Sequence, residues 1–213
     1  HGLGVILGWA IYLTPGRHRA RLKNNLIQSG LLAAHPGLLR QVVGETGKGL
    51  LELPAVWLRP LDKVVHLVRE TRGWEQFEAA LQSGQGVVLA APHIGCWEII
   101  NLYIAARQPF TAMYKPARRE DVDRLMRQGR ERGQARVVPT DLSGVKALLG
   151  ALRRGEAIGI LPDQVATLGD GAWAPFFGRW AYTPTMTVRL IQSTGAIPFM
   201  VYAERLPWGR GYR

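Results

Sequence analysis

The sequence predicts an α/β protein with a largely parallel central sheet flanked by helices and preceded by a helical N-terminal segment. From Gly73 onward, short apolar runs alternate with amphipathic stretches, and this alternation is typical of β-α-β units. Between about Arg19 and Trp57, leucines and isoleucines recur at helical spacing instead. We therefore expect a helical segment over residues 1–72 and an α/β domain over residues 73–213.

Composition narrows the class of protein. The 213 residues are 47% hydrophobic and 20% charged, which suits a folded domain and excludes a disordered tail. A single cysteine, Cys96, agrees with a reducing compartment and excludes a cysteine-based zinc module. The 27 Lys and Arg against 16 Asp and Glu give a net charge of +11. This charge predicts an anionic partner, which could be nucleic acid, a phospholipid surface or an acidic protein.

The N-terminal region is apolar first and basic next. Residues 1–13 contain no Asp, Glu, Lys or Arg, and residues 14–23 (TPGRHRARLK) follow at once. A helix needs about 20 apolar residues to span a bilayer, so this stretch predicts an interfacial element or the tail of a longer hydrophobic segment. This stretch is not a signal peptide, because in a signal peptide the cations precede the apolar residues and here they follow them. Because residues 206–213 also stop inside a turn signal, we expect a fragment at both ends.

Individual elements follow from these patterns. In the first region, Pro36, Pro54 and Pro60 predict breaks between helices. In the second, the predicted order is helix WEQFEAALQSG, strand GVVLAA, helix WEIINLYIAA, strand FTAMY, helix REDVDRLMRQGRER, strand RVVPT, helix SGVKALLGALRRG, strand AIGILPD, helix TPTMTVRLIQSTG and strand AIPFMVYAER. Thr183 and Pro184 predict the start of the last helix, and Gly155 and Gly195 predict helix ends.

A histidine and a glutamate follow the first predicted strand. His93 and Glu98 are five residues apart, so on one continuous helix they would point about 140° apart. If His93 lies in a turn after Pro92 and Glu98 in the first turn of the next helix, the carboxylate can reach the imidazole. His93 would then be a general base oriented by Glu98. The alternative is a histidine at a strand end and a glutamate on a solvated helix face.

The chain resembles a known family at several ordered blocks. His93 and Glu98 resemble the first motif of the lysophospholipid acyltransferase superfamily, and the rest of the chain is similar to its lipid A biosynthesis (late lauroyl or myristoyl) branch. The similar blocks are Arg21 to Leu26, Met113-Tyr114-Lys115-Pro116 with Gly129-Arg130-Glu131-Arg132, Ile160 to Gln164 with Asp163, and Pro175-Phe176-Phe177-Gly178 with Ala181 and Thr183. The resemblance implies a glycerolipid acyltransferase-like fold, a catalytic His93 and Glu98, and a substrate-binding Arg130 and Asp163.

The arginine-rich stretch allows two interpretations. Residues 117–136 hold seven Arg against four acids. Such a run is usually a solvated face, but guanidinium groups also bind phosphates in bidentate fashion. At the position of the family's essential arginine, Arg130 would bind a phosphate or help to position the site. Asp163 would either cap a loop or orient Arg130 and the substrate headgroup.

Other residues favour structural roles. For Trp173, Phe176, Phe177 and Trp180, core packing is the expected role, with an acyl-chain or membrane-facing wall as the alternative. Cys96 has no adjacent cation to activate it, and no G-x-S-x-G elbow occurs, so we expect direct attack by the acceptor hydroxyl without a covalent enzyme. Residues 44–49 look like a phosphate loop but lack its spacing and stand in a helical context.

We therefore expect a membrane-associated acyltransferase at the cytoplasmic face of the inner membrane. The resemblance implies transfer of a fatty acyl group from acyl carrier protein to a hydroxyl of a phosphorylated glycolipid, a lipid A precursor. We expect no metal and no cofactor beyond acyl carrier protein or CoA as donor carrier. Residues 17–23 suit an anionic membrane surface, and residues 118–136 suit phosphates and the acidic carrier protein.

Two alternatives remain open. One is a glycerophospholipid or glycolipid acyltransferase that uses acyl-CoA. The other is a non-catalytic protein that binds anionic lipid or nucleic acid. We expect no nucleic-acid partner, because the sequence has no zinc pattern or RNA-recognition signature and the apolar N-terminal stretch has no use there.

Overall fold

A computed structural model describes residues 1–213, which form two compact units. The first unit comprises residues 1–54 and 173–181, and the second comprises residues 55–172 and 182–213. The domain boundary predicted at residue 72 stays a prediction. No helix combines the length and the hydropathy that a membrane-spanning helix requires.

The N-terminal segment is helical, as predicted. Its helices are α1 (Gly2–Leu13), α2 (Arg17–Gln28), α3 (Leu31–Ala34) and α4 (Leu38–Trp57). A break does occur at Pro36, but the break predicted at Pro54 is wrong, because Pro54 lies inside α4. Pro54 has no backbone N–H, so α4 lacks one hydrogen bond at this point. The last turn stays helical because Val56 is fully buried and Trp57 packs against the same hydrophobic cluster.

Glycines bring α1 and α4 into backbone contact. A Cβ added to Gly8 would lie 2.1 Å from the Val43 carbonyl oxygen, and one added to Gly47 would lie 2.0 Å from the Gly4 carbonyl oxygen. Gly4 and Gly8 stand four residues apart and therefore lie on the same face of α1. The stretch that looks like a phosphate loop lies in the middle of α4, so its helical context is confirmed.

The second unit is an α/β fold, as predicted. Its elements are α5 (Leu61–Val65), α6 (Trp74–Gln82), β1 (Val87–Ala90), α7 (Trp97–Ala105), β2 (Phe110–Tyr114), α8 (Glu120–Arg130), β3 (Ala135–Pro139), α9 (Leu142–Arg153), β4 (Ala157–Ile160), α10 (Met186–Thr194), β7 (Ile197–Met200) and the 3₁₀ turn Pro207–Gly209. Two further strands, β5 (Gly171–Phe176) and β6 (Arg179–Pro184), form a separate hairpin.

The central sheet has five parallel strands in the order β3-β2-β4-β1-β7. Helices cover both faces, so the strands are mostly apolar, with Thr111 in β2 and Arg136 in the edge strand β3 as exceptions. Val87 and Leu89 belong to one buried cluster, whereas Val88 belongs to the cluster on the other face. The helix ends predicted at Gly155 and Gly195 are confirmed, since both residues have positive φ.

The region before α10 departs from the prediction. Thr183 and Pro184 end strand β6, and α10 begins at Met186 with Thr185 as its N-cap, so the predicted helix start is wrong. The expected packing of the aromatic residues in a core is also wrong: Trp173, Phe176, Phe177 and Trp180 are all exposed. The four residues belong to the two-stranded β5–β6 hairpin, which is not part of the central sheet.

Replacing Gly47 by alanine should destabilise the N-terminal unit. A Cβ at this position meets the α1 backbone, and overpacking of this kind costs about 1–3 kcal/mol. We expect Gly47→Ala to lower the midpoint of thermal unfolding, followed by circular dichroism.

Gly44→Ala is the matched control, three residues earlier in the same helix. Its Cβ would meet only the Val5 side chain at 3.4 Å, an ordinary van der Waals contact. Alanine is also the better helix former by up to about 1 kcal/mol, so Gly44→Ala should be neutral or stabilising. Equal destabilisation by the two substitutions would contradict the close packing of α1 on α4.

Candidate active site

Two neighbouring strands place His93 beside Asp163. In the parallel β1–β4 pair, Ala90 lies opposite Ile160. His93 and Asp163 each come three residues after these strand ends, and each follows a proline. Equal offsets from a parallel register carry the two side chains to the same point at the carboxyl edge of the sheet. This edge is where open α/β sheets hold their ligands.

Asp163 binds His93 at two points. One carboxylate oxygen accepts the His93 backbone N–H at 2.7 Å, and the other lies 2.7 Å from the ring Nδ1. A carboxylate can only accept, so Nδ1 carries the proton and Nε2 presents its lone pair. The side-chain amide nitrogen of Gln164 lies 3.4 Å from Nε2. Both paired side chains are about one-third exposed, so a substrate can reach them.

The chain after β7 holds the His93 loop in place. Gly95 has a φ of 60°, and a Cβ there would lie 1.9 Å from the Ala203 carbonyl oxygen. That carbonyl accepts the Cys96 backbone N–H at 2.9 Å, and Arg205 Nη2 donates to the Gly95 carbonyl at 2.9 Å. The Cys96 side chain is buried, which agrees with its expected packing role.

Glu98 and Arg130 form a second, more deeply buried pair. Their side chains are 4% and 11% exposed, respectively. Arg130 Nε donates to Glu98 Oε2 at 2.9 Å, and Arg130 Nη2 donates to Glu98 Oε1. Trp57 Nε1 donates to Oε2 at 3.1 Å. Gly129 leaves room for this arrangement, since a Cβ there would meet the Trp57 ring at 2.5 Å.

Trp97 connects the two pairs. The Arg130 guanidinium contacts two indoles, with its Cζ 5.3 Å from the centroid of the Trp57 ring and 5.4 Å from that of the Trp97 ring. The Trp97 ring in turn contacts the His93 imidazole edge to face, with ring centroids 5.0 Å apart. The buried ion pair therefore supports one side of the His93 ring through an aromatic contact.

The pairing differs from the one expected from sequence. Glu98 does lie in the first turn of α7, but its carboxylate bonds Arg130 and Trp57 and makes no hydrogen bond to His93. Asp163 bonds His93 and makes none to Arg130. The register of β1 with β4 brings Asp163, rather than Glu98, to His93. The bidentate hydrogen bonds of the guanidinium favour the pairing of Arg130 with Glu98. The catalytic and binding roles predicted for these four residues stay predictions.

Most of the arginine-rich stretch is engaged within the protein. Arg119 pairs with Asp121, and Arg127 pairs with Glu131, which raises the pKa of the Arg127 guanidinium. Arg132 donates to the carbonyls of Gly129, Arg59 and Val56, and burial lowers the pKa of its guanidinium. The cations of this stretch without an acidic partner are Arg118, Arg124 and Arg136, in addition to Arg132.

The arrangement suits acid–base chemistry on a hydroxyl. An imidazole whose Nδ1 is held by a carboxylate and whose Nε2 is accessible can take a proton and retain it transiently. No group of three or more His, Cys, Asp or Glu side chains is arranged to hold a metal ion. Sequence reasoning missed Trp57 and Trp97, although the position of Trp97 directly before Glu98 placed it close to both pairs.

Residues 3–209 match the family model described as bacterial lipid A biosynthesis acyltransferase. Among curated proteins, the chain is similar to the lipid A biosynthesis palmitoleoyltransferase of Escherichia coli K12, with 26% identity over 168 residues. The E. coli K12 lipid A biosynthesis lauroyltransferase is 27% identical over 170 residues. The phosphatidylinositol mannoside acyltransferase of Mycobacterium tuberculosis H37Rv is 28% identical over 174 residues.

Each of these three alignments covers 78% of the chain and 54% of the relative. The chain therefore spans about half the length of the curated relatives it matches.

Removing Arg130 should destabilise the second unit strongly. Arg130→Ala would leave the Glu98 carboxylate buried without its counter-ion, and breaking a buried pair in this way costs about 3–5 kcal/mol. Chemical denaturation of the variant should show this loss as a lower free energy of unfolding.

Arg127→Ala is the matched control in the same helix. Arg127 is half exposed and pairs with Glu131 four residues later, so its loss should cost less than about 1 kcal/mol. If the two variants lost similar amounts of unfolding free energy, burial would not make the Glu98–Arg130 pair more important to stability than an exposed ion pair.

Proposed function

The chain belongs to the bacterial lipid A biosynthesis acyltransferase family, and from this membership we propose that it transfers a fatty acyl chain to a hydroxyl of a lipid A precursor. The observation that carries the proposal is the His93–Asp163 pair at the carboxyl edge of the sheet. It provides a base with a defined tautomer, and the transfer of an acyl group to a hydroxyl requires such a base.

The reaction proceeds by direct attack. His93 Nε2 takes the proton of the acceptor hydroxyl while that oxygen attacks the thioester carbonyl of the donor. Asp163 stabilises the imidazolium that forms. The tetrahedral intermediate then expels the thiolate, which takes the proton from His93 and leaves as the free thiol. An ester forms and a thioester breaks, with no covalent enzyme intermediate.

Glu98 and Arg130 act as positioning residues. Glu98 was expected to orient His93 directly, but its hydrogen bonds reach Arg130 and Trp57. Its influence on His93 passes through the Arg130 guanidinium and the Trp97 ring. This route makes Asp163, rather than Glu98, the carboxylate that sets the tautomer of His93.

The acceptor is a phosphorylated glycolipid in this proposal. Lys115 follows β2, whose carboxyl end lies at the same edge of the sheet as that of β4. Lys115 and Arg118 are exposed and have no acidic partner, so they are suited to contact an acceptor phosphate. The donor is an acyl group on acyl carrier protein, and the strongly basic chain suits that acidic partner.

The reaction takes place at the cytoplasmic face of the inner membrane in this proposal. Helix α2 carries Arg17, Arg19, Arg21 and Lys23 and no acid, and α1 exposes Leu3, Ile6 and Leu13. A basic helix beside an apolar one suits an anionic membrane surface.

A second candidate function is acyl transfer to another glycolipid. The phosphatidylinositol mannoside acyltransferase is as similar to this chain as the two E. coli enzymes are. A direct test pairs palmitoyl, lauroyl and myristoyl donors, on acyl carrier protein or CoA, with lipid A precursor, phosphatidylinositol mannoside and lysophospholipid acceptors. Turnover of the lipid A precursor by the purified full-length protein supports the first function, and turnover of the mannoside alone replaces it with the second.

His93→Ala should lower kcat by about 10²–10⁴-fold, the contribution typical of a general base. His66→Ala is the control, because His66 is also exposed in the second unit but binds only the Asp62 carbonyl. Steady-state assays on the preferred acceptor measure kcat for both variants. Full activity in His93→Ala would leave the proposed mechanism without a base.

Asp163→Asn should lower kcat by a similar factor while leaving KM within a few-fold of the wild-type value, because asparagine does not stabilise an imidazolium. Glu98→Gln can keep a hydrogen bond to Trp57, so we expect a loss of about tenfold in kcat together with a lower free energy of unfolding. The reverse ranking, with Glu98→Gln inactive but fully stable, would restore Glu98 as the direct partner of His93.

A further inference from the structure

The β5–β6 hairpin exposes four aromatic side chains that the proposed chemistry does not use. Trp173, Phe176, Phe177 and Trp180 are 66%, 65%, 52% and 70% exposed, and we call these four residues the aromatic tip. The turn itself is Phe177-Gly178, and both residues have positive φ, as a type I′ hairpin turn requires. Phe176 and Phe177 contact each other edge to face, with ring centroids 4.7 Å apart.

The aromatic tip is apolar on both faces of the ribbon. Successive residues of a strand point to opposite faces, so Trp173 and Phe176, three apart in β5, project in opposite directions. A ribbon that lies flat on another protein buries one face and leaves the other face in water. Exposed aromatic rings on both faces are expected if an apolar environment surrounds the tip on all sides.

The charges near the tip indicate the nature of that environment. Residues 171–184 contain no Asp or Glu, and their one cation is Arg179 at the turn. The compact unit that contains the tip holds seven Lys and Arg against two Glu. Tryptophan prefers the boundary between water and hydrocarbon, and clustered cations attract anionic lipid headgroups.

We propose that the aromatic tip inserts into the headgroup region of an anionic phospholipid bilayer. This inference goes beyond acyl transfer, because it assigns a membrane-contact role to a hairpin that the reaction does not require. Insertion removes the aromatic rings from water on both faces of the ribbon at once, and Arg179 remains at the level of the phosphates. The tip then acts with the basic helix α2 of the same unit rather than as an isolated anchor.

The depth of the tip can be measured by tryptophan quenching. Full-length protein is mixed with phosphatidylglycerol–phosphatidylcholine vesicles that carry bromine on their acyl chains. Trp173→Phe/Trp180→Phe keeps the tip apolar but removes its fluorophores, so vesicle binding should persist while bromine quenching falls by at least half. Trp208→Phe, which removes a tryptophan that is 92% exposed in the second unit, should leave quenching unchanged. Unchanged quenching in the double variant overturns the proposal.

A second variant tests the energetic contribution of the tip. Phe176→Ser/Phe177→Asn replaces the turn by Asn-Gly, the preferred pair for a type I′ turn, so the hairpin should still form. Two aromatic rings are lost from the bilayer, and the partition coefficient on anionic vesicles should drop at least tenfold. Trp208→Ser is the matched control and should bind as the wild type does.

Two other occupants of the tip would give different results. A concentration-dependent dimer that Phe176→Ser/Phe177→Asn abolishes, with vesicle binding intact, would assign the tip to a second copy of the chain and overturn the proposal. Loss of acyl-carrier-protein binding with vesicle binding intact would assign the tip to the donor instead. Because vesicle binding is measured without turnover, failure here leaves the proposed reaction untouched, and an inactive protein that still binds leaves this inference intact.

Discussion

The parallel register of β1 with β4 is the constraint on which the candidate active site depends. It sets Ala90 opposite Ile160, so that equal offsets bring His93 and Asp163 together. Neither residue is near the other in sequence, and both loops leave the sheet through a proline. A shift of one residue in this pairing would separate the two side chains by about 3.3 Å along the strand. The backbone hydrogen bond from His93 to Asp163 then fixes the approach of the two loops.

The buried Glu98–Arg130 pair is connected to the more exposed His93 ring through Trp97. Glu98 is held by a guanidinium and an indole, so its negative charge is compensated inside the protein. The Arg130 guanidinium lies over the Trp97 ring, and the Trp97 ring contacts the His93 imidazole edge to face. In the proposed mechanism, a variant of either charged residue therefore affects stability and turnover together. In kinetic data alone, a positioning role of this kind resembles a catalytic one.

Much of the fold could be predicted from the sequence, because apolar alternation reports which residues enter a sheet. The order of strands and helices in the second unit follows that pattern, apart from the hairpin. The β5–β6 hairpin lacks the signal, since its aromatic residues are exposed on both faces and do not alternate with polar ones. For the site, the residue types were evident, but their pairing was not. Pairing depends on strand order, and the similar Pro-His and Pro-Asp ends of β1 and β4 were the only local clue.

Only part of the net charge of +11 is available to an anionic partner, because some of the cations bind carboxylates of the chain itself. In the arginine-rich stretch, Arg119, Arg127 and Arg130 bind carboxylates of the chain itself, so their charge is compensated locally. Helix α2 differs, because it has four cations, no acid and no salt bridge, and Arg19 instead lies over the Tyr12 ring. The unit that also exposes the aromatic tip holds seven Lys and Arg against two Glu, so it has the higher net charge per residue of the two units. This unit therefore carries both cations and exposed aromatic rings, and this combination is typical of proteins that bind a membrane interface.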